Sequence, residues 1–205
     1  MNYAALFASG KIVTGSNHGE AFGKLSTKEQ DSKLTSGFFN STTGKFSSDG
    51  FECYIKNIFL VRHSDVEEKQ QDDPELSDLG RYHAANTARY LFENFDLSEF
   101  KGFFSHARRC QETAKILNDK LKMKENTCLD SLADKLYNES DLNFLIRLKR
   151  VLDDAPQQSI IVTHSNCIIN LAQLASNGGL DNCIIGKCSI TYVFQGKLEL
   201  LGKMV

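Results

Sequence analysis

After Asn57, residues 58–61, Ile-Phe-Leu-Val, form a continuous apolar run of strand length that passes directly into Arg62 and His63. Such a run suits a parallel strand buried on both faces. Helical spacing follows: Ser77 suits an N-cap, and Leu79, Tyr82, Ala85, Ala88 and the pair Leu91/Phe92 fall on one stripe. A short strand, Gly-Phe-Phe-Ser at residues 102–105, leads into a helix over 106–122 with Ala114, Ile116/Leu117 and Leu121 as its apolar face. Residues 141–154 give another amphipathic helix, stopped by Pro156. Residues 159–164, Ser-Ile-Ile-Val-Thr-His, read as a second buried strand, with a helix after it over 165–176. Residues 188–202 read as a closing hairpin that turns at Gln195 and Gly196.

Alternating strands and helices predict a three-layer α/β/α fold with a mostly parallel central sheet. Residues 1–50 differ: Gly, Ser, Thr, Asn and Lys dominate and the periodicity is weak. They predict a small appended module or partly disordered arm, with residues 26–50 as linker or docking arm and residues 51–205 as the main domain. His18 there reads as an exposed loop residue.

Composition narrows the function. With 24 Lys and Arg against 26 Asp and Glu the net charge is −2, which gives no footprint for nucleic acid or an anionic membrane. No apolar run approaches the roughly 20 residues that span a bilayer, and the first residues lack the basic start of a secretory signal. The six cysteines are scattered without a Cys-x-x-Cys pair, so they read as reduced thiols of a cytoplasmic protein.

Three strand-to-helix junctions carry basic side chains: Arg62 and His63, Arg108 and Arg109, and His164. Ligands of open parallel sheets bind beyond the carboxyl ends of the strands, where helix N-termini also direct their N–H groups. Burying a guanidinium or imidazolium there is costly without an opposite charge. The arrangement therefore predicts a phosphate pocket.

These residues resemble the histidine phosphatase superfamily, the phosphoglycerate mutase-like fold. Leu-Val-Arg-His-Ser at 60–64 stands for the family's Arg-His-Gly, and residues 76–84 for its Leu-Thr/Ser-x-x-Gly-x-x-Gln-Ala. Residues 105–114 match Ser-x-x-x-Arg followed by Thr-Ala, which sets the second arginine at Arg109 rather than Arg108, and Ile-Ile-Val-Thr-His supplies His164. Within the superfamily the chain most resembles the short protein phosphohistidine phosphatases, whose Leu-Tyr segment and following helix are similar to residues 132–154. Two departures stand out. Ser64 replaces the glycine after the histidine, and no Leu-x-Glu acid aligns between Arg109 and His164.

The resemblance implies a phosphatase without cofactor or metal. His63 would be the nucleophile, Arg62, Arg109 and His164 would hold the phosphoryl oxygens, and Ser105 and Ser165 would orient the ligand or cap helices. Glu139, Asp134 and Asp65 are the candidate general acids. The implied partners are a phosphorylated protein or a small phosphorylated metabolite. Other readings are weaker: a zinc site would want a His-x-x-x-His pair or clustered cysteines, Cys183 and Cys188 read as small buried residues, and Cys167 lacks a Cys-x₅-Arg loop. His83 and His106 read as ordinary helix-face residues, with His106 near enough in sequence to reach the pocket rim.

Overall fold

The computed structural model describes residues 56–68, 72–176, 185–193 and Leu201 with their side chains, and residues 2–7, 12–15, 33–40, 45–48, 51–54, 194, 197–200 and 202–203 as backbone strands alone. Five strands open the chain: β1 (Asn2–Phe7), β2 (Ile12–Gly15), β3 (Lys33–Asn40), β4 (Lys45–Ser48) and β5 (Phe51–Tyr54). They form an antiparallel sheet in the order β2-β1-β3-β4-β5. Strands β3 and β4 lie within the stretch that composition reads as linker or arm. Phe38, Phe39 and Phe46 there are residues that favour extended chain. His18 and Cys183 lie outside the described residues.

The second sheet starts with β6 (Asn57–Arg62) and continues through α1 (Asp78–Asn94), β7 (Lys101–Phe104), α2 (Arg108–Leu121) and β8 (Glu125–Cys128). It closes with α3 (Asp141–Asp154), β9 (Gln158–Thr163), α4 (Ser165–Ser176), β10 (Ser189–Phe194) and β11 (Lys197–Lys203). The strand order is β11-β10-β6-β9-β7-β8. Strands β6, β9, β7 and β8 pair in parallel, whereas β10 is antiparallel to both β6 and β11. The expected hairpin is thus present as β10 and β11, while its turn at Gln195 and Gly196 lies outside the described residues. Strand β8 was not legible in the sequence, because Glu125, Asn126 and Thr127 are poor in apolar residues. It forms as an edge strand by adding to β7.

Alternation along β6 explains its unbroken apolar run. Ile58 and Leu60 pack to one side with Phe144, Leu148 and Leu152 of α3 and Ile168 and Leu171 of α4. Phe59 and Val61 pack to the other with Ala88 and Leu91 of α1 and Cys110, Ala114 and Leu117 of α2. Both faces are covered, which gives the three-layer α/β/α arrangement. Phe59 stacks on Tyr192 with ring centroids 4.3 Å apart. At the base of β6, the ammonium of buried Lys56 donates to the carbonyls of Leu152 and Ala155, capping the C-terminal end of α3.

Helix α1 corrects one expectation. Its N-cap is Ser77, whose Oγ accepts from the Gly80 N–H at 3.0 Å. Its buried face, however, is Gly80, His83, Ala84, Thr87, Ala88 and Leu91, while Leu79, Tyr82 and Phe92 stand exposed. The face is turned because its polar residues have partners inside: His83 Nδ1 lies 2.9 Å from Asp65 Oδ2, and Thr87 Oγ1 donates to the Cys188 carbonyl at 3.3 Å. His83 is therefore a paired core residue rather than an ordinary helix-face one.

Gly80 sets how closely α1 approaches the segment that follows His63. A Cβ at this position would stand 2.0 Å from the Asp65 carbonyl oxygen. Gly80→Ala is expected to lower stability by about 1–3 kcal/mol, the usual range for overpacking, and to shift the backbone at Ser64 and Asp65. A urea midpoint unchanged from the parent would contradict this contact.

Candidate active site

Two adjacent parallel strands bring together histidines far apart in sequence. The β6–β9 register pairs Arg62 with Thr163, and the ladder extends one step further as the His63 N–H donates to the Thr163 carbonyl at 3.0 Å. His63 and His164 then leave the sheet side by side, their rings edge to face with centroids 5.4 Å apart. The tip of β7 joins them, since the Ser105 N–H donates to the Val162 carbonyl at 3.1 Å. A third tie comes from α2: Thr113 Oγ1 accepts from the Ser64 N–H at 3.2 Å and donates to the Arg109 carbonyl at 2.8 Å.

Hydrogen-bond partners fix where the imidazole protons sit. His63 Nδ1 lies 2.9 Å from the Ser64 carbonyl oxygen, which can only accept, so Nδ1 carries the proton and Nε2 keeps its lone pair. At His164, an Arg109 guanidinium N–H points to Nδ1 at 3.4 Å, so the proton is on Nε2, facing Ser105 Oγ at 3.1 Å. Burial pushes His63 down to about 4, and the charges of Arg109 and Arg62 push the same way, against the hydrogen bond to Ser64. Burial likewise lowers His164 to about 4, with Arg109 adding to it and Asp134 opposing. Both rings are therefore neutral near pH 7.

A recess of about 330 Å³ opens beside His164, lined by Arg109, Ser105, His106, Asp134, Asp72 and Asp73 among others. His63 and Arg62 are not part of its wall; His63 borders it through the His164 ring, in buried contact. One Arg62 N–H donates to the Ile185 carbonyl at 2.6 Å, whereas its Nε is buried without a partner among the described residues. The Ser64 hydroxyl, standing where the resemblance expects glycine, is buried and unpaired in the same sense.

The remaining sequence candidates separate clearly. Asp134 lines the recess. Glu139 is bound by both oxygens to Arg147, at 2.8 and 2.6 Å, and that pairing holds its carboxyl below the usual range. A carboxylate so held is a poor proton donor at neutral pH, and it lies outside the recess wall. Asp65 is engaged by His83 at 2.9 Å and by Lys187 at 3.4 Å, also outside the wall. Of the three, Asp134 is the one that lines the recess. Ser105 is a partner of His164 as well as a local cap, accepting from the Ala107 N–H at 3.4 Å. Ser165 only begins α4 and is not in the wall, and Arg108 points to Glu75 and Glu112. His106 does reach the rim.

Sequence reasoning missed Asp72 and Asp73. Asp73 receives the Arg108 N–H on both carboxylate oxygens at 3.0 Å and lies 3.4 Å from Arg109 Nη1. The only hint was the acidic run before Leu76. The thiol of Cys110 sits 3.7 Å from His164 Nε2, but burial pushes it up to about 12, and burial pushes Cys167 up to about 11. Neither is a nucleophile at neutral pH. Among the described residues no cluster of three or more His, Cys, Asp or Glu side chains is arranged to hold a metal ion, and no helix is long and apolar enough to cross a membrane.

Comparison with known proteins bears on the family resemblance and the fold. Residues 58–139 match the family model of the histidine phosphatase superfamily, branch 1. That span includes Arg62, His63 and Arg109, and the fold adds His164 to them. No curated protein sequence matches the chain. Among solved structures, the protein histidine phosphatase SixA complexed with tungstate is 15% identical, with a TM-score of 0.55 over 72% of this chain and 96% of that one. A mycobacterial glucosyl-3-phosphoglycerate phosphatase is 17% identical, with a TM-score of 0.54 over 72% and 98%. A phosphoserine phosphatase from Entamoeba histolytica, in complex with phosphoserine, is 15% identical, with a TM-score of 0.54 over 73% and 96%. At these identities the likeness concerns the fold.

The protonation pattern is directly measurable. Imidazole nitrogen NMR of the phosphate-free protein should show the Nδ1–H tautomer at His63 and the Nε2–H tautomer at His164 at pH 6. Because burial lowers both pKa values, each ring should stay neutral until the pH approaches about 4. A His63 midpoint near its ordinary value of about 6.5 would contradict the assignment.

Proposed function

We propose that the chain is a phosphatase that works through a phosphohistidine on His63, with residues 51–205 as its catalytic unit and residues 1–50 as an extension. The observation that carries this reading is the bare Nε2 of His63, fixed by the Nδ1–H bond to the Ser64 carbonyl, with the His164 ring beside it and the charges of Arg109 and Arg62 acting on it. A neutral imidazole is what attack on phosphorus requires. A phosphoryl group carries close to two negative charges near neutral pH, and the guanidiniums of Arg62 and Arg109 can each direct N–H donors to its oxygens.

In the first step the Nε2 lone pair forms a bond to phosphorus while the bond to the leaving group breaks and its electron pair departs with that group. Negative charge on the phosphoryl oxygens is met by Arg62, Arg109 and the Nε2–H of His164, which turns from Ser105 to the ligand. In the second step water attacks phosphorus, the P–N bond breaks, and its electron pair returns to His63. The two arginines take the electrostatic part that Mg²⁺ plays in other phosphoryl transfers.

Leaving-group chemistry favours a phosphorylated histidine of a partner protein as substrate. An alkoxide needs a positioned acid, worth typically about 10²–10⁴-fold, whereas a departing imidazole can take its proton from solvent. Glu139 and Asp65 are tied up elsewhere. A small phosphomonoester is the second reading, supported by Asp134 in the recess wall. A phosphate-binding module without turnover is a third, which gives no reason for a bare nucleophilic nitrogen among three phosphate donors. A reducing cytosol is the setting that the scattered cysteines suggest.

Phosphate release in excess chelator, from a phosphohistidine protein and an aryl phosphate side by side, tests this reading. Faster release from phosphohistidine is expected, and His63→Ala should lower it by at least about a thousandfold, as loss of a covalent nucleophile does. Asp134→Asn should leave phosphohistidine turnover within a few-fold. Faster ester turnover that collapses in Asp134→Asn would favour the second reading, and no release from either substrate would favour the third.

A further inference from the structure

We propose that Asp73 sets phosphoryl affinity by acting as an internal anion on the phosphate-binding donors. This inference rests on the phosphatase reading of the same site. The carboxylate takes the Arg108 N–H at the start of α2 with both oxygens, each at 3.0 Å, and stands 3.4 Å from Arg109 Nη1. The same guanidinium faces His164 Nδ1 through its Nη2. Arg109 thus has the carboxylate on one side and the imidazole on the other, and both Arg109 and Asp73 line the recess beside His164.

A helix N-terminus and an arginine are the donors that attract a phosphate oxygen. Asp73 already supplies negative charge to both, and a phosphate ion entering the recess meets it as a like charge. The carboxylate side chain is about half exposed, at 52%, so the pair it forms is weak and can yield to a stronger ligand. A phosphoryl group attached to a substrate brings the additional contacts of its leaving group, whereas inorganic phosphate brings none. Asp73 thereby weakens binding of the phosphoryl group, in substrate and product alike, and aids release of phosphate after the second step.

Neighbouring acids do not share this geometry. Asp72 lines the recess, but the donors at the α2 start and on Arg109 point to Asp73. Glu75 belongs to a separate exposed network with Arg81 and Arg108 side chains. Asp72→Asn therefore measures what removal of any nearby charge does.

Calorimetric titration of the full chain with inorganic phosphate tests the proposal. Asp73→Asn keeps an oxygen acceptor for the Arg108 N–H and removes the charge, and Asp73→Ser does the same with a smaller side chain. Both should tighten phosphate binding about fivefold at low salt, the effect of one unit charge about 4 Å away at the dielectric of water. Asp72→Asn should tighten it less than either Asp73 variant does, and the KM of an active substrate should fall in Asp73→Asn. Unchanged or weaker phosphate binding in both Asp73 variants would show a residue that only caps α2 or positions Arg109, and overturn the proposal. Equal tightening in Asp72→Asn, or no binding to any of the proteins, would overturn it too. Failure of the phosphatase reading is seen separately, as absent turnover, since the titration needs none.

Discussion

Parallel pairing of β6 with β9 is the constraint on which the rest of the structure depends. The register that sets Arg62 against Thr163 carries His63 and His164 off the same sheet edge, and the bond from the His63 N–H to the Thr163 carbonyl prevents the two tips from sliding past each other. A shift by one residue would turn every side chain of β6 to the opposite face. Ile58 and Leu60 would then exchange layers with Phe59 and Val61. The apolar packing of both layers thereby fixes the spacing of two polar rings at the edge.

Burial does more than position those rings. Removing an imidazole from water disfavours its charged form, and with two arginines close by His63 and His164 are both lowered to about 4. The cationic charge of the site is left to the guanidiniums, and the imidazoles are left as neutral donor and lone pair. The Ser64 carbonyl and the Arg109 guanidinium then choose which nitrogen has which role. The sheet's carboxyl end thus holds fixed positive charge apart from a neutral nitrogen that keeps its lone pair.

Much of this was legible in the chain because each strand tip is a local pattern. An apolar run followed at once by Arg-His, or by Thr-His, signals a buried strand with a polar end regardless of what lies beside it, and His63 and His164 were singled out in that way, whereas Arg109 and Ser105 came from the resemblance to the family's Ser-x-x-x-Arg pattern. Other features depend on partners distant in sequence. The buried face of α1 could not be read from periodicity, since Tyr82 and Phe92 are more apolar than the His83 and Thr87 that are buried through Asp65 and Cys188. Strand β8 exists because β7 offers an edge. Glu139 looked free as an acid until Arg147, one α3 residue of several, closed on it. Asp73 carried no motif, and only the folded chain sets it against the start of α2.

The central claim is that His63 Nε2 becomes covalently bonded to phosphorus during turnover. Rapid acid-free quenching of the enzyme with a ³²P-labelled phosphohistidine protein, followed by peptide mapping, tests it most directly. The account predicts label on the peptide that contains His63, stable in base and lost in mild acid as a phosphoramidate is, and formed fast enough to precede phosphate release. Turnover at full rate with no label on His63, or label on another residue, would contradict it.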